Sequence, residues 1–363
     1  MKWIGIVVFF FILAGAGFAC AEECILCHGS MFGRGQYGVH ARGVGNCNMC
    51  HTMHNSQDGT PVDPDHPDGN QWLLINETPS DVCLNCHAGI MGNVFGADPV
   101  APPTEIGGGN FVFLLEDNIN DGHNGALAPI SGDKAGHSIL APSRGVSADG
   151  TLATSPGGSF PSHQLGCTSC HDPHGNGNFR MLYGVGGIQD ESYSFTNPAP
   201  FGFGLSIYHG RERPDRHTAY YNGFSAWCAN CHGDFHTHGG KFIHPTQRAL
   251  GAAVTAIYNT YNGTSDPFGA DLATAYLPAV PFEEPSHGYT STAGASNSSR
   301  VMCLTCHRAH ASSAPQSGRW DFNVTHLVDD GIESGSFAQP NPYLDDQQRS
   351  LCNKCHRKDE FDF

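Results

Sequence analysis

Apolar positions in this chain come in short, scattered runs, and few keep a period long enough to set a helix or a strand. The best helical pattern lies over 246–261 (TQRALGAAVTAIYNTY), where apolar side chains recur at helical spacing. Residues 111–115 (FVFLL) and 179–183 (FRMLY) predict short strands. The stretch 262–300, rich in Gly, Ser, Thr and Pro, predicts an irregular loop. One apolar run stands apart. It covers 4–13, with Lys2 before it and Ala19-Cys20-Ala21 after it, which is the layout of an export signal over 1–21. Cleavage there leaves Glu22 first. The competing expectation makes Cys20 a lipid-bearing cysteine, although Gly17-Phe18-Ala19 is a poor lipobox. The run is too short for a transmembrane helix, and no other segment is long and apolar enough to span a bilayer.

Against this weak patterning one spelling recurs seven times: Cys-x-x-Cys-His. The copies are Cys24/Cys27/His28, Cys47/Cys50/His51, Cys83/Cys86/His87, Cys167/Cys170/His171, Cys228/Cys231/His232, Cys303/Cys306/His307 and Cys352/Cys355/His356. They use every cysteine except Cys20. The chemistry that needs this trio is c-type haem attachment, with two thioether bonds to the porphyrin and the histidine as axial iron ligand. The expected cofactors are therefore seven haem c groups. Zinc held by CxxC pairs fits poorly with the later gaps and with a histidine after every second cysteine. That same histidine argues against structural disulfides.

Composition supports a haem core. Hydrophobic residues make up 39% of the chain, while Gly 46 and Pro 23 among 363 residues leave little aliphatic mass for packing. Seven porphyrins would supply it. Covalent ties to rigid rings also weigh against the disorder that such a composition otherwise suggests. The expected fold class is a mostly irregular multihaem cytochrome c, with short helices and few strands wrapped around a stacked haem chain. A net charge of −16 excludes a broad electrostatic case for nucleic acid. Only 14% of residues are charged, so much of the surface is neutral, as suits packing against like copies or mineral.

The gaps between motifs are 18, 31, 79, 56, 70 and 44 residues, so no fixed period exists. The expected organisation is a signal peptide over 1–21, a tri-haem region over 22–98, a di-haem region over 99–240 and a second di-haem region over 241–363. The Pro- and Gly-rich run 98–109 reads as a linker or surface loop. The CxxCH segments themselves should sit on short helical turns, because both cysteines and the histidine must face one porphyrin.

Each iron has a second face. Beyond the seven motif histidines, 15 more are present, enough to ligate every haem twice, whereas free Met is scarce. Bis-histidine ligation gives lower potentials than Met/His. Three motifs extend to CxxCHxxH and supply His54, His174 and His310, each one helical turn from a proximal histidine and better placed for a neighbouring haem than for its own. His40, His137, His217 and His244 are the other expected distal ligands, with His236 in reserve. His66, His209 and His238 read as surface residues.

The segments 166–184 (GCTSCHDPHGNGNFRMLYG), 227–236 (WCANCHGDFH) with 242–246 (FIHPT), and 301–313 (VMCLTCHRAHASS) with 319–322 (RWDF) resemble secreted multihaem cytochromes of metal-reducing bacteria. The resemblance is strong over 160–363 and weaker before residue 100. It implies electron transfer outside the cytoplasm, with the protein extracellular, at the cell surface or periplasmic. It also implies redox proteins or extracellular metal oxides as partners. Some members polymerise, which implies a homopolymer in which His54, His174 and His310 ligate adjacent haems. Filament-forming members carry four, six or eight haems, and seven departs from those counts. The competing function is a multihaem reductase of a small nitrogen or sulfur oxyanion, which needs one open iron. The CxxCK motif common in pentahaem nitrite reductases does not occur here.

Overall fold

The computed structural model describes residues 47–57, 59–88, 94–96, 107–115, 119–120, 129–130, 132–188, 192–204, 212–236, 246–260, 272–284 and 291–356. The described parts of Cys47–Pro173 and Asn178–Phe363 form one compact unit, and His174–Gly177 fall outside it. Regular structure is sparse. The α-helices are α1 (Pro79–His87), α2 (Gly132–Ala135), α3 (Phe224–Cys228), α4 (Gly251–Tyr258) and α5 (Cys303–Cys306). The strands form four two-stranded antiparallel ribbons: β1 (Ser56–Gln57) with β2 (Thr60–Pro61), β3 (Ile119–Asn120) with β4 (Pro129–Ile130), β5 (Gly186–Gly187) with β6 (Ser194–Phe195), and β7 (Phe201–Phe203) with β8 (Ala219–Asn222). Most of the remaining backbone runs in 3-10 turns and irregular segments. Among the described residues no helix is long and apolar enough to cross a membrane.

The longest helix shows why so short a segment holds. In α1, Thr78 is extended and its Oγ1 accepts the Asp81 N–H at 3.1 Å, satisfying one of the donors a helix start leaves open. Pro79 follows at a position that needs no N–H. The Asp81 carboxylate accepts from Thr78 Oγ1 at 2.8 Å, and from the Ser143 N–H and hydroxyl at 3.1 and 2.5 Å. A buried acid thereby pins the helix start to a loop some sixty residues away.

The helix expected over 246–261 is present in its middle, as α4. Gln247 and Gly251 both carry positive φ (68° and 69°), so the chain turns before the helix proper begins. The two expected strands are not strands. Phe111–Leu115 is a 3-10 turn with Phe111, Val112, Phe113 and Leu114 all buried. A strand at a surface would show alternate residues to water, whereas this run is packed on every side by Leu84, Phe95, Ile139 and Val146. Phe179–Met181 is also a 3-10 turn, and Arg180 at φ 52° stands in the left-handed region, which no strand passes through. The described parts of 262–300 are irregular, as expected.

Two larger apolar clusters carry the unit. One is built on Phe111, Phe113, Leu84 and Ile139; the other on Tyr258, Tyr276, Phe282, Trp320 and Tyr343. Packed pairs cross both expected regional boundaries. The Cys167 N–H donates to Ser80 Oγ at 3.2 Å, the Cys303 N–H to Ser225 Oγ at 3.0 Å, and Gly136 bridges Ala311.

Candidate haem-binding centres

Six of the seven CxxCH segments lie in the described residues, each on a helical turn or a helix end. Cys24, Cys27 and His28 lie outside them, as do His40 and His244 and the export signal. No disulfide joins the twelve described cysteines.

Three of the six segments share one backbone design. His51 Nδ1 donates to Trp72 O at 2.9 Å, His171 Nδ1 to Arg180 O at 2.8 Å, and His307 Nδ1 to Gln316 O at 2.8 Å. Each acceptor opens a pair of left-handed residues: Trp72 and Leu73 (φ 53° and 58°), Arg180 and Met181 (52° and 56°), Gln316 and Ser317 (55° and 57°). Such pairs are costly for residues other than glycine and persist where the surroundings enforce them. Here a ladder does so. The N–H after each histidine donates to Leu73 O, Met181 O or Ser317 O, and the second cysteine's carbonyl accepts from Ile75, Tyr183 or Arg319. A repeat that the uneven motif gaps concealed is thus present in the backbone. These are the same three segments that read CxxCHxxH.

The other three segments, at 83–87, 228–232 and 352–356, lack the second histidine. In the first two, a serine three residues before the first cysteine (Ser80, Ser225) holds the N–H of the next motif's first cysteine. The two designs therefore alternate along the chain, in three successive pairs.

Thiol neighbours give the order of the segments in space. Cys83 lies against Cys167, and Cys228 against Cys303; each contact raises one thiol and lowers its partner, Cys303 to about 7. Burial pushes Cys170 up to about 12, with Cys231 acting in the same direction, and Cys306 up to about 12, with Cys352 and Cys355 adding to it. Burial likewise raises Cys50, helped by Cys86. Sulfurs bound as thioethers would not titrate, so the couplings serve here only to identify neighbours. The order is the order of the sequence, and the contacts alternate between first and second cysteines.

The spare histidines divide sharply. His310 faces His171 with ring centres 6.5 Å apart, and His137 faces His232 at 6.1 Å. With metal–nitrogen bonds of about 2 Å and about 1 Å from nitrogen to ring centre, two axial imidazoles on one metal stand about 6 Å apart. Both gaps fit an iron. His232 Nδ1 donates to Pro156 O (2.7 Å) and His137 Nδ1 to Ala309 O (2.8 Å), which leaves each Nε2 available as ligand. Burial holds His137 neutral down to about 4 and His310 down to about 3, the form that binds metal. The His310 segment is clamped: His310 N–H donates to Gly108 O, Asn110 N–H to Ala311 O, and His137 N–H to His310 O. A Cβ on Gly136 would fall 2.2 Å from His310 O, so only glycine lets these backbones meet.

His217 is buried with its ring stacked on Tyr276 at 3.6 Å, Nδ1 lying 2.8 Å from Thr218 O and Nε2 2.9 Å from Ser291 O. His54 and His174 are exposed.

His356 is the exposed one among the described proximal histidines. Its turn is formed: the His356 N–H donates to Cys352 O at 2.9 Å, and Asn353 Nδ2 donates to the His356 carbonyl at 3.1 Å.

His66 is a surface residue paired with Asp63 at 3.0 Å, as expected. The orienting carbonyls and the two serines were missed at the level of sequence. The repeated SxxCxxCH at 80–87 and 225–232 is a signal for the serines.

No protein-family model matches the chain. It is 32% identical over 420 residues to the C-type cytochrome OmcS of Geobacter sulfurreducens, covering 89% of this chain and 95% of that protein. It is similar to the structure of OmcS nanowires from that organism (TM-score 0.73, 30% identity, 88% of this chain and all of that one). It is also similar to that of the outer membrane cytochrome S filament (TM-score 0.76, 29% identity, the same coverage). The chain therefore belongs to the c-type cytochrome family of OmcS, which implies haem c as its cofactor.

Proposed function

We propose that this chain holds seven haem c groups, mostly with two histidine ligands, and passes electrons along them outside the cytoplasm as the subunit of a filament. The observation that carries this reading is the pair of facing histidines, His171 with His310 and His137 with His232, each separated by the span of a bis-ligated iron. Bound haem supplies a one-electron couple at each site. The chain's part is to fix the sites. The Trp72, Arg180, Gln316 and Pro156 carbonyls hold four proximal imidazoles in one tautomer and orientation. The adjoining cysteines keep consecutive attachment segments side by side.

His310 belongs to the segment of one site and faces the proximal histidine of another. Ligand and neighbour are then the same piece of backbone, which keeps the two sites close. We propose His54, His174, His40, His217 and His244 as further distal ligands, one for each remaining iron. His356 is proposed as the proximal ligand of the last site on the strength of its CxxCH spelling and its formed turn. Among the described attachment cysteines, Cys47 and Cys352, at the two ends of the described order, are the exposed ones. Such exposed attachment points suit transfer to a second copy, to a redox protein or to an extracellular metal oxide. The OmcS relatives, solved as nanowires and filaments, support polymerisation and a cell-surface or extracellular location.

A pyridine haemochrome assay on the exported protein should return seven haems per chain, and resonance spectra of the oxidised protein should be low-spin throughout. Electron microscopy of the surface fraction should show filaments. Haem near zero would sink the proposal, and a stoichiometric high-spin signal would favour the reductase in its place.

A further inference from the structure

The repeated backbone design allows the three pairs of sites to be compared position by position. The residue after the proximal histidine, whose N–H enters the ladder, is Thr52 in the first pair, Asp172 in the second and Arg308 in the third. The residue whose N–H binds the second cysteine's carbonyl is Ile75, Tyr183 and Arg319. The residue before the second cysteine of the partner segment is Asn85, Asn230 and Lys354. At these equivalent positions the first pair is neutral and the second carries one acid. The third carries arginine at the first two and at the last Lys354, whose charged form is disfavoured by burial.

These three side chains are buried: Arg308 is 7% exposed, Arg319 1% and Lys354 0%. The Arg319 guanidinium donates to Leu304 O (2.6 Å), Pro278 O (3.3 Å) and Gly107 O (3.3 Å), and among the described residues no carboxylate lies within ion-pair distance of it. Lys354 Nζ donates to Tyr258 O and Ala275 O, both at 2.7 Å, and stands 4.2 Å from the Tyr258 ring centre. Arg319 acts electrostatically on Cys306 and Lys354 on Cys355. Buried carboxylates stand at these sites as well. Asp81 acts on Cys167 and Glu283 on Cys303, in each case at the junction with the preceding pair. Asp321 and Asp330 are tied into their own loop, where Asp321 Oδ1 accepts the Asn323 N–H at 2.8 Å and Asp330 Oδ2 faces the Asp321 N–H at 3.4 Å.

We propose that Arg308 and Arg319 make the third pair of sites, attached at 303–307 and 352–356, the high-potential end of the chain, where an electron shared among the haems collects. This rests on the haem reading above. Reduction adds one negative charge at an iron, and a fixed positive charge buried nearby favours the reduced state, weakly screened because water is excluded. Arginine stays protonated throughout, so the bias is permanent.

The test is a spectroelectrochemical titration of the haem-loaded protein. Arg319→Gln should cut the reduced-to-oxidised ratio of the highest-potential component by about tenfold, a negative shift of about 59 mV for one electron. Arg319→Lys should retain most of the wild-type curve, and Arg213→Gln, an exposed arginine at 62%, should leave it unchanged. Should Arg319→Gln fail to load, Asp172→Asn tests the same idea in the opposite sense, moving a lower component upward. A fully loaded Arg319→Gln with wild-type midpoints, or a uniform shift of the whole curve, overturns the gradient. A wild-type protein with fewer than seven haems would count against the proposed function and leaves the comparison of pairs to be judged by the shift itself.

Discussion

Replacing His310 with alanine isolates one distal ligand. The thioethers at Cys167 and Cys170 and the proximal His171 stay in place, so the haem count should remain seven. What goes is the imidazole that faces His171 across 6.5 Å. One iron then has an open sixth position. Oxidised His310→Ala should therefore show about one-seventh of its iron as high-spin, against none in the parent, and the reduced protein should bind about one carbon monoxide per chain. Free imidazole should restore the low-spin spectrum. The stability cost should be modest. The His310 ring stacks on Phe111 with centres 4.5 Å apart, and losing such a contact costs about 0.5–1.5 kcal/mol beyond the area exposed. His54→Ala is the natural comparison, because the same motif there presents an exposed side chain. Spin quantitation by electron paramagnetic resonance decides the matter: a fully loaded His310→Ala that stays low-spin and rejects carbon monoxide would refute the assignment of this pair.

Four further outcomes follow from the same geometry. Gly136→Ala places a Cβ 2.2 Å from His310 O; it should displace the His310 segment and produce a high-spin fraction without touching any ligand. Ser80→Ala and Ser225→Ala each remove the acceptor for a cysteine N–H at a junction between segments, and each should cost about 1–3 kcal/mol in denaturant unfolding of the loaded protein. Thr78→Ala removes the cap of α1 and should cost about 0.5–2 kcal/mol, read the same way. Acid should destabilise the fold through His137 and His310, which burial holds neutral in the folded chain. Well above pH 6.5 neither folded nor unfolded imidazole is charged, so their contribution is flat. Below it the unfolded chain takes up protons that the folded one refuses, and stability falls as the pH drops. Urea midpoints across that range should fall less steeply in His310→Ala.

The division between what the residues spelled and what they hid has a physical cause. Haem attachment needs two thiols and an imidazole at one fixed spacing, so each site is written in side chains and could be found by eye. The backbone design around three of the sites is written in carbonyls. From proximal histidine to orienting carbonyl the separation is 9 residues at His171 and at His307, but 21 at His51, where the β1–β2 ribbon is inserted. The acceptors, Trp72, Arg180 and Gln316, share a left-handed φ and no chemistry. A carbonyl belongs to every residue, so nothing in the spelling marks the one that is used, and the repeat was invisible. The same cause explains the two misplaced strands. Apolar runs of five state that a segment is buried, not which backbone it adopts, and with neither a partner strand nor a solvent face both became tight turns. It also explains why three identical HxxH extensions have different fates. His310 is packed because Gly108, Gly109 and Gly136 let two other segments close on the backbone on either side of it. His54 is exposed, though its motif is the same. What buries a spare histidine is therefore set at a distance, by glycines far from it in the chain that carry no haem chemistry of their own. Counting histidines could set the supply of candidate ligands, and only the packing could tell them apart.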